Sequence, residues 1–332
     1  MTAARPPTVA GPTTAVPPTG LLDRRLLFVT GKGGVGKTTT AAALALLASR
    51  QGKRTLVCEV DAKGNMADFL GVEAMRFDAR EVKPSLYGMT MDTEASLKEY
   101  LSLQLKVPLL ARIGPLAKTF DFMATAAPGV KEILTVGKLC YEVREDNYDL
   151  VVVDAPATGH VVGQLMAPEA INELVQVGRV RHQTDWMRDI LEDPVQTGVC
   201  VVTAPEEMPV SETIELIDSL SQETSVDLAG VVVNRVLPAL FGRGERAVFD
   251  RIRTEQGIDA LSDAVGGDAG PLVEAADLAV SLRQSRTVHM DRLRDGLPAD
   301  LLTLYVPYLF TRSHGIRATQ QVADALAAEL DT

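Results

Sequence analysis

The chain has 332 residues, 46% of them hydrophobic and 23% charged, which is enough to build one large α/β domain or two modest ones. Its formal net charge is −11 and its pI is near 5.0. With no Lys/Arg cluster in the sequence, that balance argues against a binder of nucleic-acid phosphates. Cys58, Cys140 and Cys200 stand far apart with no C-x-x-C pair. Zinc and redox motifs therefore lack support, and buried apolar thiols in a reducing cytoplasm are the favoured reading.

Residues 1–22 are rich in Pro, Thr and Ala and contain no apolar stretch of signal-peptide length. They read as a disordered tail ahead of a single domain at 23–332. No segment approaches the ~20 apolar residues of a membrane span, so a cytoplasmic protein is expected. The run Leu26-Leu27-Phe28-Val29-Thr30 predicts a buried parallel strand. Gly31-Lys32-Gly33-Gly34-Val35-Gly36-Lys37-Thr38-Thr39 follows, and it fits G-x-x-x-x-G-K-[ST]. Its glycines let backbone N–H groups turn inward around an anion. Lys37 is placed to reach the β- and γ-phosphates, and the Thr38 hydroxyl to ligate Mg²⁺. The alanine- and leucine-rich run from Thr39 to Ala48 predicts a helix with the phosphates at its N-terminus. Lys32 lies at the other end of the loop from Lys37. It is placed to reach outward to a nucleotide held by a second subunit, which points to a dimeric ATPase.

Further strand-like runs follow at Arg54–Val60, Gly88–Met91, Asp149–Asp154, Gly198–Thr203, Leu228–Asn234 and Leu301–Val306. They alternate with helical stretches, which predicts a doubly wound, mostly parallel sheet covered on both faces. Ligands bind such sheets beyond the carboxyl ends of the strands. Asp61 and Asp154 stand at two of those ends. Either can hold Mg²⁺ through water or orient an attacking water. A helix cap is the alternative for Asp154, and a turn aspartate for Asp61. Residues 92–148 and 161–197 read as helical inserts. In the first, Leu97, Leu101 and Leu105 recur at helical spacing, as core, client groove or dimer surface.

Asp154-Ala155-Pro156-Ala157-Thr158-Gly159-His160 resembles the second switch of the arsenite-pump and tail-anchored-protein-targeting ATPase family, which belongs to the deviant Walker A class of phosphate-loop NTPases. The loop Gly31–Thr39 matches that class throughout. Val232-Val233-Asn234-Arg235 resembles the segment whose asparagine reads adenine, and Val306-Pro307-Tyr308-Leu309, with Gly315, the loop that covers the adenine ring. Ala127-Pro128-Gly129 is similar to a proline-glycine element ahead of an insert helix. The first switch departs from the family's Asp-Pro-Ala-His-Ser: here it is Asp61-Ala62-Lys63-Gly64-Asn65, which bears on how water is positioned and on turnover. The chain also lacks the cysteine pair of a shared dimer zinc site and a three-cysteine metalloid cluster, and it holds one ATPase domain where the bacterial arsenite pump subunit fuses two.

The resemblance implies ATP and ADP as ligands, with Mg²⁺ held by Thr38, Asp61 and Asp154. Lys37 and, in trans, Lys32 would serve the transferring phosphoryl group, and Asn234, Pro307 and Tyr308 would hold the base. It also implies a homodimer, or a heterodimer with a related ATPase subunit, acting on a protein client or membrane partner. A weakly active subunit of a paralogue pair is the alternative. A partition-type ATPase on nucleic acid is a further one, which the acidic charge disfavours.

Overall fold

A computed structural model describes residues 20–61, 64–105, 129–174, 179–310 and 315–330. Eight strands, β1 (Leu26–Gly31), β2 (Thr55–Glu59), β3 (Arg80–Lys83), β4 (Leu86–Thr90), β5 (Leu150–Ala157), β6 (Thr197–Thr203), β7 (Leu228–Val236) and β8 (Thr303–Pro307), form one sheet. Their order is β3-β4-β2-β5-β1-β6-β7-β8. Only β3 and β4 pair antiparallel; the other pairs are parallel. The described helices are α1 (Lys37–Arg50), α2 (Asn65–Leu70), α3 (Thr93–Leu105), α4 (Val130–Arg144), α5 (Thr158–Leu174), α6 (Arg179–Glu192), α7 (Glu207–Glu223), α8 (Arg243–Ile252), α9 (Glu255–Val265), α10 (Gly270–Gly296) and α11 (Ile316–Leu330).

Alternate residues of the central strands feed two cores, as the period-2 geometry of a strand requires. Leu27, Val29, Val57, Val152 and Val202 face α1 and α11. Leu26, Phe28, Leu56, Val151 and Val153 face α4, α5, α6 and α7. With both sides covered, the strands need no polar alternation. Helix α1 runs Ala41 to Ala48 without an exposed residue, between the sheet and Val322, Ala323 and Leu326 of α11. A helix that is apolar all round is stable only when enclosed in this way.

The cysteines divide between the layers: Cys58 and Cys140 lie in one core and Cys200 in the other. Burial raises the pKa of all three thiols. This fold does not bring them together as a three-thiolate site.

Several elements differ from the expectations. β3, an antiparallel edge strand, carries exposed Arg80 and Glu81 and has no apolar run to announce it. β5 continues to Ala157, three residues past Asp154, and α5 starts at Thr158 rather than at 161. Leu21 and Leu22, placed in the tail, are buried against the first core. Between β7 and β8 an unanticipated insert, α8 to α10, gathers a small core of Phe249, Val273 and Val280. Leu272, Leu278 and Val288 of α10 remain exposed, so its apolar residues trace no single face. In the first insert Leu97 is half-buried. The side chains of Leu101 and Leu105, together with residues 106–128, Ala127 and Pro128 among them, lie outside the described residues, as do Ala62 and Lys63 of the first switch.

Candidate nucleotide site

Gly31 ends β1, the strand between β5 and β6. A Cβ there would lie 2.0 Å from the Val202 carbonyl oxygen, so only glycine lets the loop leave the sheet at this point. Gly36, at φ 102°, caps α1 without any side-chain hydrogen bond. The first-turn N–H groups of α1 thus have no side-chain acceptor at the cap, the usual setting for a bound phosphate. A side chain at Gly36 would also meet Asn234 Nδ2 at 2.4 Å. The loop fits an anion, and a bulkier sequence would not make the same cradle.

Lys37 Nζ donates to the Lys32 carbonyl at 3.2 Å, folding back over the loop. The Thr38 hydroxyl donates to Asp154 Oδ2 at 2.7 Å. Lys32 pairs with Glu212 of its own chain. Asp154 is paired in register with Val29 on one side and Glu59 on the other. Asp61 follows β2 closely enough for its charge to act on Asp154. Thr38 and Asp154 thus meet directly, with Lys37 and Asp61 near enough for their charges to act on Asp154. Glu59 was not anticipated; its signal was an acid inside an otherwise apolar strand. It is 2% exposed, its Oε1 accepts from the Asn65 N–H at 3.0 Å, and its Oε2 has no partner.

Burial pushes the Asp154 carboxyl up to about 6, opposed by the Thr38 hydrogen bond and the Lys37 charge and reinforced by Glu59 and Asp61. Its Oδ1 is sealed from solvent without a partner. A carboxylate with an unsatisfied oxygen beside a phosphate loop suits a Mg²⁺ shell, so these donors fit the metal. Without the metal, the same charge is a burden on stability. A folded pKa raised above the usual 3.8 means that the folded chain holds the proton more tightly. This contribution thus improves stability as pH falls from about 7 towards 4. Asp154→Asn is expected to stabilise the nucleotide-free chain at pH 7.5 by about 1–3 kcal/mol, the gain shrinking at pH 5. Urea unfolding at the two pH values measures it. A loss of stability at pH 7.5 would show that the carboxylate is held by cations instead.

Asn234, at the end of β7, donates from Nδ2 to the Val35 carbonyl at 2.8 Å, and its Oδ1 accepts from the Arg235 N–H at 2.9 Å. Arg235 takes a left-handed φ of 60°, and its carbonyl accepts from Arg286 of α10 at 3.2 Å. Among the described residues one of the two amide hydrogens of Asn234 is engaged. Pro307 ends β8, and the Tyr308 N–H donates to the Val236 carbonyl at 2.9 Å. Tyr308 is exposed, and its ring centroid lies 5.0 Å from that of Phe310. Asn234 contacts the loop directly; Pro307 and Tyr308 share the same sheet edge one strand beyond it.

A strand–glycine loop–helix unit with an uncapped helix start, and a threonine bonded to the aspartate of the neighbouring strand, defines a phosphate-loop nucleotide-binding protein. Residues 24–187 and 174–243 match the model of the anion-transporting ATPase family, and the chain belongs to that family. ATPase BagA of Mycobacterium tuberculosis is 34% identical over 233 residues, covering 67% of this chain and 68% of the relative. A putative arsenical pump-driving ATPase of Halobacterium salinarum is 24% identical over 296 residues, 82% of this chain but 44% of that protein. ATPase GET3 of Chaetomium globosum is 30% identical over 171 residues, 49% of each chain. Nucleotide binding follows from the family. Among the described residues no helix is long and apolar enough to cross a membrane.

Proposed function

We propose that this chain is a Mg²⁺-dependent ATPase that works as a dimeric switch and passes the state of its nucleotide to a client or partner. The observation that carries the reading is the Thr38–Asp154 hydrogen bond at 2.7 Å beneath the loop lysine, because it brings a metal-ligating hydroxyl and a strand-end carboxylate to the phosphate cradle. Lys37 neutralises charge on the β- and γ-phosphates. Asp61 and Asp154 hold and orient water. When bound, Mg²⁺ would be held by Thr38 directly and by Asp61 and Asp154 through water, and it would draw off negative charge developing on the phosphates. Lys32 would serve the partner's phosphoryl group, an addition of a cation worth ~10³ or more in related systems. Transmission is short: α5 begins four residues after Asp154 and packs through Val161 and Leu165 into the helical layer. A change at the γ-phosphate can thus move a rigid helix.

A second reading, a weakly active subunit beside a related one, draws on the first switch. There Glu59 fixes the Asn65 N–H at the start of α2, a tether that restrains the segment carrying Asp61. Steady-state phosphate release with Mg²⁺ and with EDTA, together with light scattering in ADP and in a non-hydrolysable ATP analogue, separates the two. Turnover that needs Mg²⁺, with dimers in the analogue, is expected. Tight nucleotide binding with no turnover from the pure chain would favour the second reading.

The base end has its own test. Asn234→Ala is expected to weaken ATP relative to GTP by about 1–3 kcal/mol, the worth of one buried polar contact. Competition binding reads the preference. An unchanged ratio would move base recognition to the segment from Pro307.

A further inference from the structure

Lys32 is held by its own chain. Its ammonium pairs with Glu212 Oε1, while Glu212 Oε2 accepts from the Thr158 hydroxyl at 3.4 Å. Lys32 and Glu212 are 29% and 28% exposed, so both charges are largely withdrawn from water. Glu212 lies on α7, and Thr158 opens α5 just past Asp154. A single carboxylate therefore joins the outer end of the phosphate loop to the segment that follows the metal-site aspartate. The fold does not depend on this join: α5 and α7 are already anchored in the core through Val161, Leu165, Val210 and Leu216. Beside it, a cavity of about 370 Å³ is lined by Gly159, Gly163, Glu215 and Glu223 as well as Glu212 and Thr158.

From this geometry we infer that Glu212 is the positioning residue for Lys32. It keeps the ammonium on its own chain while the chain is alone and yields it to nucleotide phosphates across the dimer. The inference rests on the dimeric reading above. A partly exposed ammonium gains modestly from a neighbouring carboxylate, so the approach of a more highly charged anion is enough to draw Lys32 from Glu212. The phosphates of a partner's nucleotide carry more charge than one carboxylate, which makes the exchange ion for ion. The Thr158 hydroxyl adds a second control. When the segment after Asp154 shifts with the γ-phosphate, Glu212 loses a donor or gains a better one, and its hold on Lys32 changes with it.

The test is a double-mutant cycle on assembly. In Glu212→Gln the concentration of non-hydrolysable ATP analogue that half-saturates dimer formation, read by light scattering, should fall about two- to fivefold, the range of an ion pair of this exposure. Turnover at saturating ATP should stay within about twofold, and Glu212→Asp should restore the wild-type midpoint. In a Lys32→Ala background the same Glu212→Gln change should have no effect. An unchanged or raised midpoint, or an equal shift without Lys32, overturns the inference. A separate measurement does not need a dimer: the amine-labelling rate of Lys32 in the nucleotide-free chain, followed by mass spectrometry, should rise in Glu212→Gln. No rise overturns the pairing itself. A rise in a chain that stays monomeric in every nucleotide supports the pairing and sinks the dimeric reading instead.

Discussion

Lys37→Ala should abolish ATP hydrolysis, with a loss of at least ~10²-fold in turnover, the scale seen when one fixed donor to a developing charge is removed. The side chain leaves the first residue of α1 and curls back to the Lys32 carbonyl. It is thus already oriented over the space that the loop glycines enclose. Such preorganisation is what makes the ammonium effective, because little reorganisation is needed when the phosphates arrive. The variant should fold normally, since Lys37 lies outside both sheet cores and α1 is held through Ala41 to Ala48. Thermal unfolding without nucleotide should stay cooperative, lowered only by the loss of the Lys37 charge that offsets the Asp154 carboxylate, while the stabilisation given by added ATP should vanish. Wild-type turnover and affinity in this variant would remove the loop from the mechanism.

The second large effect is a recovery. Lys32→Ala and Lys37→Ala chains should each be inactive as homodimers, yet hydrolyse ATP once mixed. In a mixed dimer the Lys32→Ala chain keeps its own Lys37 and receives Lys32 from its partner, which completes one site. Equal mixing of two chains into twofold dimers leaves about a quarter of the sites complete, and so roughly a quarter of wild-type activity. The Lys32→Ala chain alone should still bind ATP, because its cradle of N–H groups and Lys37 are untouched. Mixed dimers shown to form but lacking activity would confine Lys32 to its own subunit. If a related chain is the natural partner, the lysines must be divided between the two proteins.

The phosphate loop and Asp154 were legible because both are encoded within a few neighbouring residues: glycines that need left-handed φ, and an acid at the end of an apolar run. The parallel sheet was legible for the same reason, since strands covered on both faces read as unbroken apolar stretches. What escaped depended on distance or on exposure. β3 is a charged edge strand with no buried face to leave a pattern. The pairing of Lys32 with Glu212 joins residues 180 positions apart, and nothing around Glu212 marks it among the other glutamates of α7. Asn234 was read as a base contact, and its bond to the Val35 carbonyl came only with the fold, because no local pattern says which loop a strand end will meet. The α8 to α10 insert was missed because exposed leucines blur the helical period of α10.

The enclosure of α1 has a consequence for biosynthesis. During translation this helix emerges early, directly after β1, yet the residues that close its outer side, Val322, Ala323 and Leu326, are made far later. Both sheet neighbours of β1 also come from later parts of the chain. Until then this enclosed helix has nothing to lie beneath. Such long-range closure is slow and leaves sticky surface open to aggregation. Nascent chains halted before α11 should therefore be caught by holdase chaperones and should not retain ATP, and ligand binding should switch on only as the segment Ile316–Leu330 clears the ribosome.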